Sequence, residues 1–222
     1  MVKRLFDIVF AAAVLLITWP LILAGALAVK LSSPGPAFYR ARRAGRGGQP
    51  FDMFKLRTMR IGSDAADRKI TDEHDDRVTP PGRLLRKFEL DELPQFWNVL
   101  CGDMSVVGPR PEDWEIVERY YTPEQRRTLD VRPGIVSPAD VRWYPDITYH
   151  DPPPDGVSLQ EWYLARHMPV MLEDALRYVE RQSLLLDLQV IVQTAYCILV
   201  RSWLPPPPRG LQAIESRETL RV

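Results

Sequence analysis

The feature that most constrains this chain is a run of 22 residues, Ile8 to Val29, with no charged side chain and with Pro20 near its middle. As one helix it would measure roughly 33 Å, enough to cross a bilayer core of about 30 Å. Its flanks are basic on both sides: Lys3 and Arg4 before it, Lys30, Arg40, Arg42, Arg43 and Arg46 after it. A spanning helix should carry its cation excess on the cytoplasmic side only. Pro20 lacks a backbone donor and clashes with the preceding turn, so it can bend the helix in mid-membrane. The segment, residues 1–31, therefore reads as a re-entrant helix-break-helix that turns at Trp19 and Pro20 and leaves by the face it entered. A kinked full span is the rival, because proline is tolerated in spanning helices. The length and the lack of a small-residue cleavage site argue against a signal peptide. A buried soluble helix rarely stays uncharged for so long.

The remainder reads as one compact, mainly α domain with a small β-hairpin, residues 32–203, followed by a Pro-rich tail, residues 204–222. Ala37 to Arg40 and Phe51 to Arg57 bracket the glycines of 45–48, which suits a hairpin with a loose loop. Residues 62–83 read as a polar loop; its acids Asp72, Glu73, Asp75 and Asp76 lack cage-like spacing, so a solvated loop is favoured over a metal site. Leu84 to Leu100 reads as helical, with Leu93, Phe96, Trp97 and Leu100 on one stripe. Pro94 fits only in a first helical turn, which puts Asp91 and Glu92 at a helix N-terminus. Further helices are expected over 112–121 and 158–179, with Pro169 as a break. The apolar stretch 184–200 reads as a core helix or one lying at the membrane interface. Gly108 to Pro111, Arg132 to Gly134 and the Pro-rich 145–156 read as turns and loops.

Lys plus Arg equals Asp plus Glu, 29 each, which argues against general nucleic-acid binding. The arginines of 40–46 suit an anionic membrane surface or phosphate groups. Cys101 and Cys197 have no metal-like spacing and read as packing residues of a reducing compartment. His74, His150 and His167 form no ligand pattern.

The chemistry-bearing pair is Asp91 and Glu92. A helix N-terminus favours ionised carboxylates there, by about 0.3 to 1 kcal/mol, and an ionised carboxylate can act as a nucleophile. Acids in a first helical turn are also ordinary structural features, so the pair alone decides little. Around it, Lys55, Arg57, Arg83, Arg86, Arg110 and Arg132 lie in or beside turns, and Arg110 is locked between two prolines. A guanidinium on a rigid turn makes a good phosphate clamp. Cations beside an acidic pair suggest phosphoryl chemistry with a divalent cation offsetting the negative charge.

Five blocks, Lys3 to Asp7, Phe54 to Met59, Leu90 to Leu100, Gly102 to Glu112 and Val131 to Ile135, together resemble the bacterial sugar transferase family, the small monotopic phosphoglycosyl transferases. The resemblance runs from residue 3 to about 200. It implies transfer of a sugar-1-phosphate from a UDP-sugar to a polyprenyl phosphate, usually undecaprenyl phosphate, at the cytoplasmic face of the inner membrane. It implies Asp91 as the nucleophile that expels UMP and carries a covalent phosphosugar, with Mg2+ held by Asp91 and Glu92. Beside the phosphate-binding reading of Lys55, Arg57, Arg86, Arg110 and Arg132 made above from their turns, it brings in Asp187 from Leu184 to Leu188 as a site residue, with a structural role as the alternative. It also implies a re-entrant first helix broken at a proline, matching Trp19 and Pro20. The lipid bilayer is thus a partner, and a homodimer is left open.

Three departures stand out. Trp19 replaces the usual serine before the proline, and Glu89 replaces the usual Ser or Thr before Leu90. Ile135 to Val141 replaces the usual Ile-Thr-Gly-Trp-Ala-Gln-Val, which leaves the identity of the sugar open. The alternative from another class is a catalytically idle membrane adaptor of the same fold. A Rossmann-type glycosyltransferase on one spanning helix would need an alternating strand–helix pattern that the sequence lacks.

Overall fold

The computed structural model describes residues 1–62, 75–143 and 153–200. Asp72 and Glu73 of the acidic loop, most of the 145–156 loop and the Pro-rich tail lie outside the described residues. Asp75 is described, and it forms a buried ion pair with Arg77.

The apolar run forms one helix, α1 (Val2–Ser32), with Pro20 inside it. Backbone hydrogen bonding resumes beyond the proline, so the expected break at Trp19 and Pro20 is a proline within a continuous helix. Both halves of α1 are held by the same domain. In the N-terminal half, Asp7, only 2% exposed, accepts from Ser105 Oγ at 3.0 Å and Val106 N at 3.1 Å. Arg4 donates to the carbonyls of Val99 and Leu100 at 2.7 and 3.1 Å, and Lys3 reaches the Val107 carbonyl at 3.1 Å. In the C-terminal half, Val29 packs with Leu56 and Leu85, and Ile22, Ala26 and Leu90 close the cluster. Gly25 makes this approach possible: a Cβ there would sit 2.7 Å from Leu56 Cδ1 and 3.3 Å from Leu85 Cδ2. The opposite face leaves Leu16, Ile17, Trp19, Leu21, Leu23 and Leu27 exposed.

The expected hairpin is present as β1 (Phe38–Ala44) and β2 (Pro50–Leu56), antiparallel, with Ala41 opposite Met53 and Tyr39 opposite Lys55. Ala41 and its cross-strand partner Met53 point into the main core, while Leu56, on the other face of β2, packs with Val29 and Leu85. The loop uses Gly47 and Gly48 at φ 69° and 76°, where a side chain would be strained.

The helix expected over 84–100 is two helices. Thr79 caps α2 (Pro80–Lys87), its Oγ1 accepting from Gly82 N at 3.2 Å. A 3₁₀ turn (Leu90–Glu92) follows, then α3 (Gln95–Cys101), with Pro94 at its N-cap. The buried face of α3 is Gln95, Asn98 and Val99, while Trp97 of the expected apolar stripe is exposed. The reason is that α3 lies between two elements. Phe96 and Leu100 pack on the core towards α1, and Asn98 ties β2, accepting from Phe54 N at 2.9 Å and donating to the Asp52 carbonyl at 2.8 Å.

A second, parallel pair was not foreseen: β3 (Ser105–Val107) and β4 (Gly134–Val136). The strands end in a close backbone contact, since a Cβ on Gly134 would lie 2.1 Å from Gly108 N. Gly134 N donates to the Pro109 carbonyl at 2.9 Å and Gly108 N to the Val136 carbonyl at 3.1 Å. The turn that carries Arg110 is thereby pinned.

Asp113 caps α4 (Trp114–Tyr120), and Ser137 caps α5 (Pro138–Arg142). The 158–179 expectation appears as α6 (Leu159–Trp162), a π-helical turn (Tyr163–His167) and α7 (Met168–Arg181). Pro169 sits in the first turn of α7 rather than breaking a helix, because a first-turn N–H needs no intrahelical partner. The last described helix is α8 (Leu184–Leu199). The main core joins α1, the hairpin, α3, β3, α7 and α8 through Ala11, Met53, Val99, Val106, Tyr178 and Val190. Among the described residues the sheets are two-stranded, which is no Rossmann arrangement.

Candidate active site

The Asp91–Glu92 pair sits in the turn between α2 and α3 rather than inside an α-helix. Glu89 ends α2 in the left-handed region, φ 53°, a conformation that costs a side-chain-bearing residue about 1 kcal/mol. Its N–H donates to the Arg86 carbonyl at 3.1 Å, and its carbonyl accepts from Glu92 N at 3.2 Å. These bonds close the turn that presents both carboxylates beside β2.

Lys55 of β2 donates a hydrogen bond and ion pair to Glu92 Oε1, and buried Gln95 donates a second bond to the same side chain. Burial works to raise Glu92, but Lys55, Arg110 and these two bonds outweigh it and hold the carboxyl below the usual range. Asp91 is 6% exposed and its Oδ1 is buried with no hydrogen-bond partner. Burial pushes Asp91 up to about 6, opposed by Lys55 and Arg86 and reinforced by Glu92. Glu89 is raised further, to about 8, by burial and by the charges of Glu92 and Asp91. At neutral pH the cluster therefore holds Glu92 and most of Asp91 ionised, and Glu89 protonated.

An unpartnered buried carboxylate oxygen is costly, on the order of 1–3 kcal/mol. Sites that carry such a cost are where functional groups are found. The site is bordered by cations. Arg86 donates through Nε to Thr58 Oγ1 at 2.8 Å, and Arg110 pairs through Nη1 with Asp140 Oδ1 at 2.9 Å. Beyond Arg110 a cavity of about 30 Å³ is lined by Glu112, Tyr121 and Tyr163, too small for a nucleoside. Glu112 accepts there from the Tyr163 hydroxyl.

Lys55, Arg86 and Arg110 thus gather with Asp91 and Glu92, while three other expected site residues make their hydrogen bonds elsewhere. Arg57, 6% exposed, donates to the carbonyls of Ser33 and Pro34 and ties down the turn after α1. Arg132 donates through Nε to the Gly102 carbonyl at 2.6 Å, just past α3. Asp187 is fully buried under α1, accepting from Lys3 Nζ and the Tyr178 hydroxyl, each at 2.7 Å. Sequence reasoning missed Gln95 and Asp140. A buried glutamine and a capping aspartate carry no periodicity signal; only Asp140 could have been found, from the Ser137-x-x-Asp140 capping pattern.

The donor set suits a hard divalent cation. Mg2+ takes one or two carboxylates and completes its shell with water and substrate phosphates. Asp91 Oδ1 is a buried oxygen without a partner, with Glu92 beside it. Among the described residues no group of three acidic, His or Cys side chains forms a cage.

A small, mainly helical domain that holds an N-terminal helix long and apolar enough to cross a membrane, beside a carboxylate pair bordered by cations, is the class of protein that the fold and site define. The chain belongs to the bacterial sugar transferase family, whose sequence profile matches residues 1–201. It is 40% identical over 200 residues to the UDP-glucose:undecaprenyl-phosphate glucose-1-phosphate transferase of Caulobacter vibrioides, covering 89% of this chain and 69% of that protein. It is 35% identical over 200 residues to the UDP-N-acetylgalactosamine-undecaprenyl-phosphate N-acetylgalactosaminephosphotransferase of Aeromonas hydrophila, covering 89% and 44%. An uncharacterized sugar transferase of Bacillus subtilis, EpsL, is 35% identical over 198 residues, covering 89% and 87%. The chain thus spans less than half of the Aeromonas relative and most of the Bacillus one.

Proposed function

We propose that this protein transfers a sugar-1-phosphate from a UDP-sugar to a polyprenyl phosphate, of the undecaprenyl type, at the cytoplasmic leaflet of a bacterial inner membrane. The observation that carries the proposal is the buried, unpartnered Oδ1 of Asp91 in a turn braced by Lys55 and Glu92. That oxygen attacks the β-phosphorus of the donor. The bond from that phosphorus to the oxygen bridging to the α-phosphate breaks, UMP leaves, and Asp91 holds the phosphosugar as an acyl phosphate. An oxygen of the polyprenyl phosphate then attacks the same phosphorus, the acyl-phosphate P–O bond breaks, and Asp91 is regenerated. Two displacements avoid driving two phosphate anions together in one step.

Arg86 and Arg110 are positioned to offset the charge of the donor's diphosphate, and Lys55 keeps Glu92 ionised and oriented. Asp91 and Glu92 would hold Mg2+, which supplies charge neutralisation at the phosphates when bound.

The membrane reading is monotopic. Between Asp7 and Gly25 the helix rises about 27 Å, close to the thickness of a bilayer core, yet both residues are packed on one domain. A helix spanning from end to end could touch such a domain at one end only. The exposed apolar face of α1 faces lipid, and α8 offers a second stripe, Leu185, Leu188, Val192, Tyr196 and Leu199. This supports a helix that enters and leaves by one leaflet and bends at Pro20. The idle-adaptor alternative draws no support from these residues, since the altered 135–141 segment folds into β4 and α5 and pairs with Arg110.

The test incubates purified protein with Mg2+, undecaprenyl phosphate and a panel of UDP-sugars and measures UMP. Release with at least one sugar is expected; none with any sugar contradicts the proposal. Cysteines placed at positions 2 and 33 should label from the same side of sealed vesicles, and labelling from opposite sides would establish a span.

A further inference from the structure

We propose that Asp140 is a positioning residue that holds the Arg110 guanidinium at the donor-diphosphate position beside Asp91 and Glu92. The inference rests on the reading of Arg110 given above and assigns a role to the segment in which this chain departs from its family's pattern.

Arg110 needs such a device. The flanking prolines fix its backbone, but its side chain is 46% exposed, so packing does not choose its rotamer. Nη1 donates to Asp140 Oδ1 at 2.9 Å, a contact that helps to fix that choice. Asp140 is itself immobilised. Its Oδ2 accepts from Ser137 N at 3.1 Å, and its own N–H donates to Ser137 Oγ at 3.1 Å, so it cannot rotate without breaking the cap of α5. Ala139 and Val141, 2% and 8% exposed, anchor α5 on either side.

The two partners are mounted on one support. Arg110 follows β3 by three residues and Asp140 follows β4 by four, and those strands are paired and locked at Gly108 and Gly134. The ion pair therefore inherits the geometry of the β3–β4 pair. Arg110 also stabilises the charge of Glu92, so its guanidinium lies between carboxylates from two distant parts of the chain.

The arrangement needs a carboxylate. Two acceptor oxygens are in use, one for the cap and one for Arg110. Asparagine offers one acceptor oxygen and turns a donor towards the other partner, so it cannot keep both. A half-exposed ion pair adds little to stability. Fixing the long, rotamer-rich arginine before the diphosphate arrives is where the contact acts.

The test is a double-mutant cycle read by equilibrium binding of UDP, measured calorimetrically on full-length detergent-solubilised protein with Mg2+. Asp140→Asn should weaken UDP about tenfold, Arg110→Ala at least as much, and the double variant no more than Arg110→Ala alone. Ser137→Ala, which removes only the cap, should change UDP affinity less than twofold while lowering the melting temperature about as much as Asp140→Asn. The proposal is overturned if Asp140→Asn weakens UDP equally with and without Arg110, if Ser137→Ala weakens it as much as Asp140→Asn, or if the wild-type protein does not bind UDP. UDP binding with the predicted coupling but no UMP release with any sugar would contradict the proposed reaction and leave this inference standing.

Discussion

Replacing Asp91 by asparagine should make the protein more stable while abolishing its turnover. The carboxyl ionises near 3.8 in an unperturbed chain and is pushed up to about 6 in the fold, chiefly by burial. Between those values the folded protein holds a proton that the unfolded chain has released, so stability falls as pH rises through that window and stays lower above it. A shift of about 2 units corresponds to about 3 kcal/mol. Asparagine carries no such penalty at any pH, although its amide still leaves a buried polar atom without a partner, which returns about 1 kcal/mol. The net gain above neutral pH is about 2 kcal/mol, or roughly 4–8 °C in melting temperature for a chain of this size. The charge penalty itself falls to about half its full value at pH 5. The assay is thermal unfolding of detergent-solubilised, chelator-treated protein at pH 8, 6.5 and 5. An Asp91→Asn variant that is no more stable than wild type at pH 8, or whose advantage ignores pH, would refute the burial argument. The trade of stability for a reactive group is a common feature of active sites.

Two further predictions follow from named contacts. Lys55→Met removes a cation that lowers both Asp91 and Glu92, so the acidic limb of the kcat/KM profile should move up from about 6 by ~1 unit; a profile that drops uniformly without moving would show that Lys55 acts otherwise. At Gly25, where Leu56 and Leu85 close in, valine should cost about 1–3 kcal/mol by prising α1 off the domain, whereas alanine should be close to neutral because the flexible leucine tips can yield and helix propensity improves. Thermal unfolding of both variants checks this, and a neutral valine would mean that the C-terminal half of α1 does not pack there.

What could be read from the sequence was what periodicity and chain punctuation encode. Alternation around Met53 and the glycines of 45–48 marked the hairpin, and the uncharged stretch around Pro20 marked α1. Motif and turn position had singled out Asp91, Glu92, Lys55, Arg86 and Arg110, which the fold brings together. What stayed hidden has a common cause. An arginine beside a turn can clamp a phosphate or satisfy backbone carbonyls, and nothing local separates Arg110 from Arg57 and Arg132, which do the second. For Asp187 a site role and a structural one both stood open, because its partner Lys3 under α1 is distant in sequence. Strands as short as β3 and β4 fall below any alternation signal, so the mounting of Arg110 and Asp140 could not be seen. The stripe through Trp97 misled because α3 buries Gln95 and Asn98, whose burial is decided by partners in β2 and Glu92. The left-handed Glu89, which splits the expected helix, has no signature in the residue itself.

The proposed reaction requires a covalent phosphosugar at Asp91. Wild-type protein incubated with Mg2+ and a donor UDP-sugar, without polyprenyl phosphate, and quenched in acid should show by intact mass one added sugar phosphate, mapped to the peptide holding Asp91 and absent from Asp91→Asn. UMP release accompanied by a persistently unmodified chain, or an adduct on another residue, would contradict it.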